Sequence, residues 1–395
     1  MIKKGLVIIE LLFVVFQSTI VAQTSSTGQD LSSQNVIQTP VPFLNIAPDS
    51  RAGAMGDVGA ATSPDANSMH WNAAKYAFIK DDIGGSLTYT PWLRGLASDI
   101  DLAYLTFYNR LDKRSTFAAA IRYFSLGTLV FMDNSKVPQG TKNPNEFTLD
   151  AAYSRLFSDN FSGGIAFRYI RSDLATNQTV NQKTINAGNA FAADISAYYH
   201  SKTIIDDKPA EWALGLNISN LGSKISYTDD ATKDFLPAML KLGGSLGMDL
   251  DAYNKFTLAL DLSKLLVPTP SLTEADSTRK QTLVNTSDMS VPQGIIESLY
   301  KAPGGSSEKL KEIMISTGIE YLYRDQFAIR GGYFNESQMK GNRKYFTVGC
   351  GVKMNILSID FSYLVPTGAS NPLANTMRIS LNLNVAKLAK QKSKK

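Results

Sequence analysis

The sequence has few of the residues from which catalytic and metal sites are usually built. Among 395 residues there is one cysteine, Cys350, and there are two histidines, His70 and His200. A single cysteine excludes an internal disulfide and a cysteine-based metal cluster. We therefore expect neither a metal nor a cofactor, and these residues give no indication of an enzyme.

Charge is also scarce. Charged residues make up 19% of the chain, below the roughly 25% of typical soluble proteins. The net charge is +5, and the basic tail of residues 387–395 by itself supplies five lysines. The rest of the chain is therefore close to neutral, and the high pI does not indicate a nucleic-acid partner.

Long hydrophobic runs are confined to the N-terminus. Two lysines precede an apolar stretch from Gly5 to Val21, and the small residue Ala22 follows. This order predicts a signal peptide over residues 1–22, with a signal anchor as the alternative because Glu10 interrupts the apolar stretch. No later window reaches the ~18 consecutive apolar residues of a transmembrane helix. Residues 23–42 are rich in Ser, Thr and Gln and are expected to form a flexible lead.

From Ile83 onward, apolar and polar residues alternate with a period of two, which predicts strands with two different faces. In Met377 to Val385 one face carries Met, Ile, Leu and Val, and the other carries Arg, Ser and Asn. The polar face of the strands is mostly small, which suits a crowded lumen, and the apolar face suits lipid. A closed barrel is the only sheet that satisfies its backbone hydrogen bonds in lipid.

About fourteen such segments can be counted. They lie at residues 83–90, 99–110, 115–126, 146–156, 161–173, 190–201, 210–219, 238–249, 255–265, 313–323, 327–334, 343–353, 356–365 and 375–386. Tight connections alternate with long ones, as periplasmic turns and extracellular loops do in outer-membrane barrels. We therefore expect an all-β fold, a transmembrane antiparallel β-barrel over residues 83–386 in the outer membrane, with both termini periplasmic. A soluble β-sandwich is the alternative, but it gives no reason for the loops to alternate in length.

The stretch before the first strand is rich in glycine and alanine. Small residues allow close backbone packing in a confined space. We interpret residues 43–82 as a periplasmic or lumenal plug inside the barrel, and its characteristic residues are Gly53, Gly56, Gly59, Trp71 and Asn72. A phosphate-binding loop is the alternative, but the glycine spacing matches neither GxGxxG nor a P-loop.

Charged residues on the polar strand face are expected to pair across neighbouring strands, because buried charges require partners. The predicted lumenal charges are Arg122, Asp150, Arg168, Asp194, Lys241, Asp261, Glu320, Arg330, Asp360 and Arg378. We expect them to brace the wall and hold the plug, with a polar path for a solute as the alternative.

A Ser/His/Asp set can be written with Asp194, Ser196 and His200. Same-face residues two apart lie ~7 Å from each other along a strand, so this spacing does not form a relay. We expect His200 to be a lumen or rim residue and His70, beside Trp71, to be a packing residue of the plug.

The longest connection, residues 266–312, combines a proline-rich start with two short helical patterns around Pro303. A loop of this length is usually functional or disordered. We interpret it as an extracellular docking element for cargo or translocon, with Thr273, Ile295, Tyr300 and Leu310 as candidate contact residues.

Several stretches resemble one family closely. They include PDSRAGAMGDVGAATS, HWNAAKYA, LDLSKLLVPTP, RGGYFNE, KGNRKYFTVG and NPLANTMRISL, and they extend from Pro48 to Leu381. On these residues the chain resembles the PorV (LptO) family of the Bacteroidetes type IX secretion system, within the wider group of FadL-like barrels. The FadL-like hatch carries Asn-Pro-Ala where this chain has Asn72-Ala73-Ala74, and this departure argues against a FadL-like transport path.

The resemblance implies a non-enzymatic secretion role. Such a protein would bind an SprA-like translocon barrel, accept cargo by its C-terminal signal domain, and pass it to a PorU-like sortase and attachment complex. Its surroundings would be outer-membrane lipid and lipopolysaccharide. Two alternatives follow from related barrels: a FadL-like channel for hydrophobic compounds, and a lipid A deacylase, which would need a catalytic Ser, His or Asp.

Overall fold

A computed structural model describes residues 35–384, apart from residues 96, 133–137, 177, 181–182, 229–232, 270–271, 276–279, 284–288 and 368–372. The predicted signal peptide, most of the predicted lead and the basic tail lie outside these residues. Fourteen of the described strands form one closed antiparallel barrel, which confirms the predicted fold class. The first strand closes the barrel by pairing with the last, as in Leu87 opposite Leu381.

The barrel strands occupy the segments that the alternating pattern predicts. They are β1 (Ile83–Pro91), β2 (Ile100–Arg110), β3 (Ser115–Leu126), β6 (Asn145–Leu156), β7 (Phe161–Asp173), β10 (Gly188–Ile205), β11 (Lys208–Gly222), β12 (Met239–Asp249), β13 (Asn254–Leu265), β16 (Ile313–Tyr323), β17 (Phe327–Asn335), β18 (Lys344–Lys353), β19 (Leu357–Pro366) and β20 (Met377–Asn384). Strands β10 and β11 are longer than predicted. Asp206 and Asp207 join them with φ of 50° and 61°, the positive values of a two-residue hairpin turn, so the pairing continues to the turn.

The remaining elements are short. Three hairpins in the loops pair β4 (Leu129–Met132) with β5 (Pro138–Lys142), β8 (Thr179–Val180) with β9 (Lys183–Thr184), and β14 (Leu272–Ala275) with β15 (Lys280–Leu283). The α-helices are α1 (Ser50–Gly53), α2 (Ser68–Trp71), α3 (Val291–Tyr300) and α4 (Gly305–Lys311), and the 3₁₀ helices are η1 (Pro42–Asn45), η2 (Ala73–Phe78) and η3 (Gln338–Lys340). None of the described helices is long and apolar enough to cross a membrane.

The barrel is apolar outside and polar inside. On β13, Leu258 and Leu260 are 51% and 45% exposed, whereas Ala259 and Asp261 on the other face are 2% and 0% exposed. The same alternation recurs around the wall, with leucine, isoleucine and phenylalanine facing outward. An outward apolar band with a polar interior is the arrangement of a barrel whose solvent is lipid.

The two ends of the barrel differ in their connections. One end, the tight-turn rim, carries the connections 111–114, 157–160, 206–207, 250–253, 324–326 and 354–356. The other end, the long-loop rim, carries 92–99, 127–144, 174–187, 223–238, 266–312, 336–343 and 367–376. Because the strand number is even, the barrel itself begins at Ile83 and ends at Asn384 on the tight-turn rim.

Residues 35–82 form no barrel strand and pass through the lumen. Asn35 donates its backbone N–H to the carbonyl of Met339, 3.0 Å away in the long-loop connection 336–343. The other end of the segment joins β1 at the tight-turn rim, where Arg110 donates its backbone N–H to the carbonyl of Asp82 at 2.8 Å. The described chain therefore begins at the long-loop rim and reaches the tight-turn rim at β1.

A charge placed on the lipid face should be costly. We expect Leu260→Arg, near the middle of β13, to lower the free energy of unfolding by about 2–4 kcal/mol in lipid vesicles, because the guanidinium would face hydrocarbon. Leu250→Arg, in the tight turn 250–253, is the control and should change it by less than about 0.5 kcal/mol. Denaturant unfolding followed by tryptophan fluorescence measures both, and equal effects would contradict the membrane assignment of β13.

Candidate functional site

The plug, residues 43–82, contacts the wall through glycines. At six inward-facing glycines of the wall, an added Cβ would overlap plug atoms. They are Gly164 against Ala73 and Ala74, Gly215 and Gly243 against Ala60, Gly318 against Met55, Gly332 against Met55 and Gly56, and Gly349 against Ala54. We call them the wall glycines. They lie on β7, β11, β12, β16, β17 and β18, so the plug is seated against strands on several sides of the lumen. Backbone approaches this close require the absence of a side chain.

The plug glycines predicted from sequence lie at the same contacts. Gly56 has φ of +70°, and a Cβ there would come within 2.6 Å of backbone atoms of Thr317 and Tyr333. Gly53 lies against the guanidinium of Arg378, and Gly59 lies against the ring of Trp71. Each glycine therefore admits a neighbouring backbone, cation or ring that a larger residue would displace.

Trp71 and Asn72 connect separate parts of the plug with each other and with the wall. The indole N–H of Trp71 donates to Asp49 Oδ1 at 2.6 Å, and Lys241 Nζ of the wall lies 4.5 Å from the centre of a Trp71 ring. Asn72 Nδ2 donates to the carbonyl of Ala60 in the plug and to that of Ala197 in β10, both at 2.9 Å. Asn72 Oδ1 accepts from Ala74 N at 3.0 Å and so begins η2 without a proline.

The lumenal charges form two wall clusters. Arg168 binds Asp150 on the neighbouring strand β6 and lies 3.2 Å from Asp194 on β10. Arg330 Nε lies 2.6 Å from Glu320 on β16, and its Nη1 lies 2.7 Å from Asp360 on β19. Each cluster sets one guanidinium between two carboxylates, which compensates the loss of hydration in the interior.

Three predicted lumenal charges bind the plug instead of a charge on a neighbouring strand. Arg122 Nη1 donates to the carbonyls of Phe43 and Leu44 at 3.2 and 3.0 Å. Asp261 accepts from the backbone N–H of Gly59 and Ala60 at 2.8 and 2.9 Å. Arg378 Nε donates to the carbonyl of Ala47 at 3.0 Å. These three side chains form hydrogen bonds with carbonyls and N–H groups of the plug and not with an opposite charge on a neighbouring strand.

Plug charges that the sequence analysis did not single out complete the contact. Arg51 Nη2 lies 2.9 Å from Glu320 Oε1 in the wall and Arg51 Nη1 lies 3.0 Å from Asp65 Oδ2 in the plug. Asp57 Oδ2 accepts from the hydroxyl of Tyr345 at 2.5 Å. The sequence does place Asp and Arg in the predicted plug. Because buried charges need partners, these residues indicate contacts between the plug and charged or polar side chains.

The Ser/His/Asp set does not assemble into a relay. Ser196 Oγ donates to the carbonyl of Gly164 at 3.1 Å and accepts from Ala74 N at 3.0 Å. Asp194 binds Arg168, and His200 Nδ1 lies 2.9 Å from Glu211. His70 Nδ1 lies 2.7 Å from Arg122 Nη2, where it joins the plug to the wall. Among the described residues, no group of three or more His, Cys, Asp and Glu side chains is arranged to hold a metal ion.

The long connection 266–312 is anchored at its base by buried ion pairs. Lys340 Nζ lies 2.5 Å from Glu308 and 3.4 Å from Glu312, and Lys264 binds Glu312. We call Lys264, Glu308, Glu312 and Lys340 the loop clamp. Burial by itself would raise the pKa of Glu308, but hydrogen bonds from Lys340 and from Gly304 N hold this pKa below its ordinary value. The clamp therefore fixes α4 to β13 and to the connection 336–343.

Helix α3 turns its small face inward and its apolar face outward. Gly294 packs against Phe235 and Ser298 is buried, whereas Ile296 and Leu299 are 58% and 50% exposed. Tyr300 and Leu310 are 59% and 71% exposed. Of the predicted contact residues, Tyr300 and Leu310 are thus exposed, Ile295 is half-buried, and Thr273 lies in β14. We call Ile296, Leu299, Tyr300 and Leu310 the apolar loop face.

Comparison with known families decides what kind of barrel this is. A family model described as "Type IX secretion system protein PorV" matches residues 29–272, which is more than half of the chain. The chain belongs to the PorV family. It is thus a component of the type IX secretion system in the outer membrane. No curated protein matches the chain.

Solved structures similar to this PorV-family chain differ strongly from it in sequence. The toluene transporter TbuX of Ralstonia pickettii is 13% identical, with a TM-score of 0.45, and the match covers 86% of this chain and 98% of that chain. The toluene transporter TodX of Pseudomonas putida is 9% identical, with a TM-score of 0.46, over 88% and 98% of the two chains. A FadL homologue of Pseudomonas aeruginosa is 10% identical, with a TM-score of 0.42, over 89% and 99%.

The seating of the plug can be tested with two adjacent glycines. We expect Gly332→Ala to lower the free energy of unfolding by about 1–3 kcal/mol, because the added methyl would overlap the backbone of Met55 and Gly56. Gly331→Ala is the matched control: its Cβ would have an ordinary contact of 3.7 Å with Ile319. Unfolding in vesicles and protease resistance of the plug are the measurements. Equal effects of the two substitutions would show that the plug is not seated on Gly332.

The ion pair between plug and wall can be measured with a double-mutant cycle. Arg51→Met and Glu320→Gln should show a coupling of about 0.5–3 kcal/mol in the free energy of unfolding, since the two side chains share a buried contact. The exposed pair Lys255 and Asp325, 3.0 Å apart at the tight-turn rim, is the control and should give about 0–1 kcal/mol. A coupling near zero for Arg51 and Glu320 would show that this ion pair does not help to hold the plug in the barrel.

Proposed function

We propose that the chain is a non-enzymatic carrier within the type IX secretion system. In this role it binds an SprA-like translocon barrel, accepts cargo through the C-terminal signal domain, and delivers it to a PorU-like sortase and attachment complex. The observation that carries the proposal is the combination of a seated plug with a clamped loop that presents the apolar loop face. Such a barrel offers a binding surface at one rim in place of an open lumen.

The seated plug supports a carrier over a channel. A FadL-like channel for hydrophobic compounds would need the plug to leave the wall glycines and to break contacts such as Arg51 with Glu320 and Asp261 with Gly59 and Ala60. Buried hydrogen bonds and ion pairs of this kind are costly to break one partner at a time.

The orientation follows from the two rims. We place the long-loop rim at the cell exterior and the tight-turn rim, with Asn384, in the periplasm, because outer-membrane barrels have short periplasmic turns and longer extracellular loops. The lipid-facing band then lies in the outer membrane, with lipopolysaccharide around the long-loop rim.

The apolar loop face is the surface that we assign to a protein partner. A helix that buries Gly294 and Ser298 while exposing Ile296 and Leu299 has its apolar side unpaired within the described chain. Exposed apolar surface of this kind is typical of interaction sites, and exposed aromatic residues such as Tyr300 are enriched among the residues that dominate binding energy.

The assignment predicts a separation between folding and binding. We expect the triple substitution Ile296→Ser, Leu299→Ser and Tyr300→Ser to leave the barrel folded, since the side chains are exposed, and to reduce recovery of partners at least tenfold. The measurement is purification from membranes in mild detergent through a C-terminal tag, followed by mass spectrometry. Leu111→Ser with Phe157→Ser, two exposed apolar residues in tight turns, is the control and should leave recovery unchanged.

The same purification distinguishes the alternatives. Recovery of a giant barrel, a sortase-like protease or proteins that share a C-terminal domain supports the carrier. Recovery of the barrel alone with an apolar ligand would favour a channel, and loss of lipid A deacylation on changing Ser196 or His200 alone would favour an enzyme. Deletion of residues 273–311 is a weaker test, because it also removes Glu308 from the loop clamp.

A further inference from the structure

We infer that the tight-turn rim carries a binding site for the phosphate of an anionic phospholipid headgroup. The site is a surface pocket at the tight turns 250–253 and 324–326, and we call it the headgroup pocket. It has a volume of about 400 Å³ and is lined by Ala252, Tyr253, Lys255, Arg324 and Asp325. The inference concerns the membrane rim of the barrel and does not depend on the carrier role.

Arg324 is held in this pocket by two tyrosine rings. Its Cζ lies 4.9 Å from the centre of the Tyr253 ring and 5.3 Å from the centre of the Tyr323 ring, within the ~6 Å range of cation–π contacts. The backbone N–H of Arg324 donates to the carbonyl of Tyr253 at 2.7 Å, which joins the two turns. These contacts fix the guanidinium and leave its N–H donors free for an anion.

The charges that line the headgroup pocket leave one positive charge in excess. Lys255 Nζ lies 3.0 Å from Asp325 Oδ1 and 3.2 Å from Asp325 Oδ2, so the lysine compensates the one carboxylate of the lining. Arg324 forms no ion pair with a carboxylate in the part of the chain that the structure describes. The pocket is therefore complementary to an anion, and the arginine is the residue that would bind it.

The backbone of the turn supports a role for the arginine side chain. Arg324 and Asp325 have φ of 54° and 53°, a left-handed conformation that glycine, asparagine and aspartate adopt at less cost than other residues. The tight turn 206–207 has the same signs of φ and carries two aspartates, which tolerate it. At Arg324 the chain instead has a long cationic side chain, and backbone strain of this kind is typical of functional positions.

The headgroup pocket lies at the edge of the lipid-facing band. Tyr323 is the last residue of β16 and Phe327 is the first residue of β17, and both are exposed. On the same face of β16, Tyr321 and then Ile319 follow toward the middle of the strand and are also exposed. Aromatic residues are enriched at the level of lipid headgroups, with aliphatic residues deeper in the bilayer. Arg324 is thus at headgroup level.

An anionic glycerophospholipid such as phosphatidylglycerol fits both parts of this surface. Its phosphate would accept hydrogen bonds from the guanidinium of Arg324, a charge-assisted contact for which arginine is well suited. Its acyl chains would cover Tyr321 and Ile319 on the wall. Free phosphate would use only the first part, and a zwitterionic lipid would bring its own cation close to Arg324. The occupant to which the inference commits is therefore the anionic lipid.

The test is a lipid titration of the purified barrel in mild detergent, followed by native mass spectrometry. One phosphatidylglycerol should bind more tightly than phosphatidylcholine, and Arg324→Gln should weaken phosphatidylglycerol binding about fivefold or more, because a charge-assisted contact is lost. Arg114→Gln removes the same charge from the exposed tight turn 111–114. It is the matched control and should change binding less than about twofold, since exposed charges outside the pocket are screened. Heat-modifiable migration on a gel checks that each variant is folded.

A second variant should change the affinity in the opposite direction. Asp325→Asn removes the only carboxylate of the headgroup pocket and frees Lys255 from its ion pair. Phosphatidylglycerol binding should therefore become about two- to fivefold tighter, because the attraction between the pocket and the phosphate increases. A purely structural role of the turn predicts no such gain, so weaker or unchanged binding in the folded variant would count against the inference.

Three further outcomes would overturn the inference. Equal weakening by Arg324→Gln and Arg114→Gln would show a general effect of surface charge, and full binding by Arg324→Gln would show that the lipid is held elsewhere. Binding of inorganic phosphate or glycerol 3-phosphate as tightly as the lipid would show an anion site that needs no acyl chains. None of these measurements involves a secretion partner, so failure here and failure of the carrier proposal are distinguishable.

Discussion

Contact between the plug backbone and the wall glycines is the constraint from which the other features follow. A barrel in lipid satisfies its own backbone hydrogen bonds, and in this barrel the plug occupies the lumen. Gly332, Gly318 and Gly215 let another backbone lie directly on the strands. Such a contact leaves no room for a side chain at the wall position, which accounts for glycine on the facing strands.

Charged side chains hold the plug in position within the lumen. Arg168 and Arg330 each sit between carboxylates of the wall, whereas Asp261 and Arg122 are satisfied by N–H and carbonyl groups of the plug. The plug contains only short helices, so many of its backbone groups have no partner of their own. Wall side chains supply those partners, and the wall and the plug complete each other's hydrogen bonds.

The long-loop rim brings three separate parts of the chain into contact. The loop clamp joins α4 to the connection 336–343, and Asn35 joins the start of the described chain to both. This anchoring explains why a long loop can present Ile296, Leu299 and Leu310 in a defined position. The proposed carrier role would need such a surface more than a pore.

The sequence by itself determined the barrel, because an alternation of period two with an apolar face is a local property of each strand. All fourteen strands could be located in this way, and the resemblance carried by stretches such as LDLSKLLVPTP indicated the family. Partners across the lumen depend on residues far apart in the chain, as Arg51 and Glu320 or Asn35 and Glu308 are, and no local pattern specifies them. Only the tertiary structure decided that Arg122 binds plug carbonyls, that α3 exposes its apolar side, and that Asn35 lies at the long-loop rim, because each depends on which surfaces meet when the barrel closes around the plug.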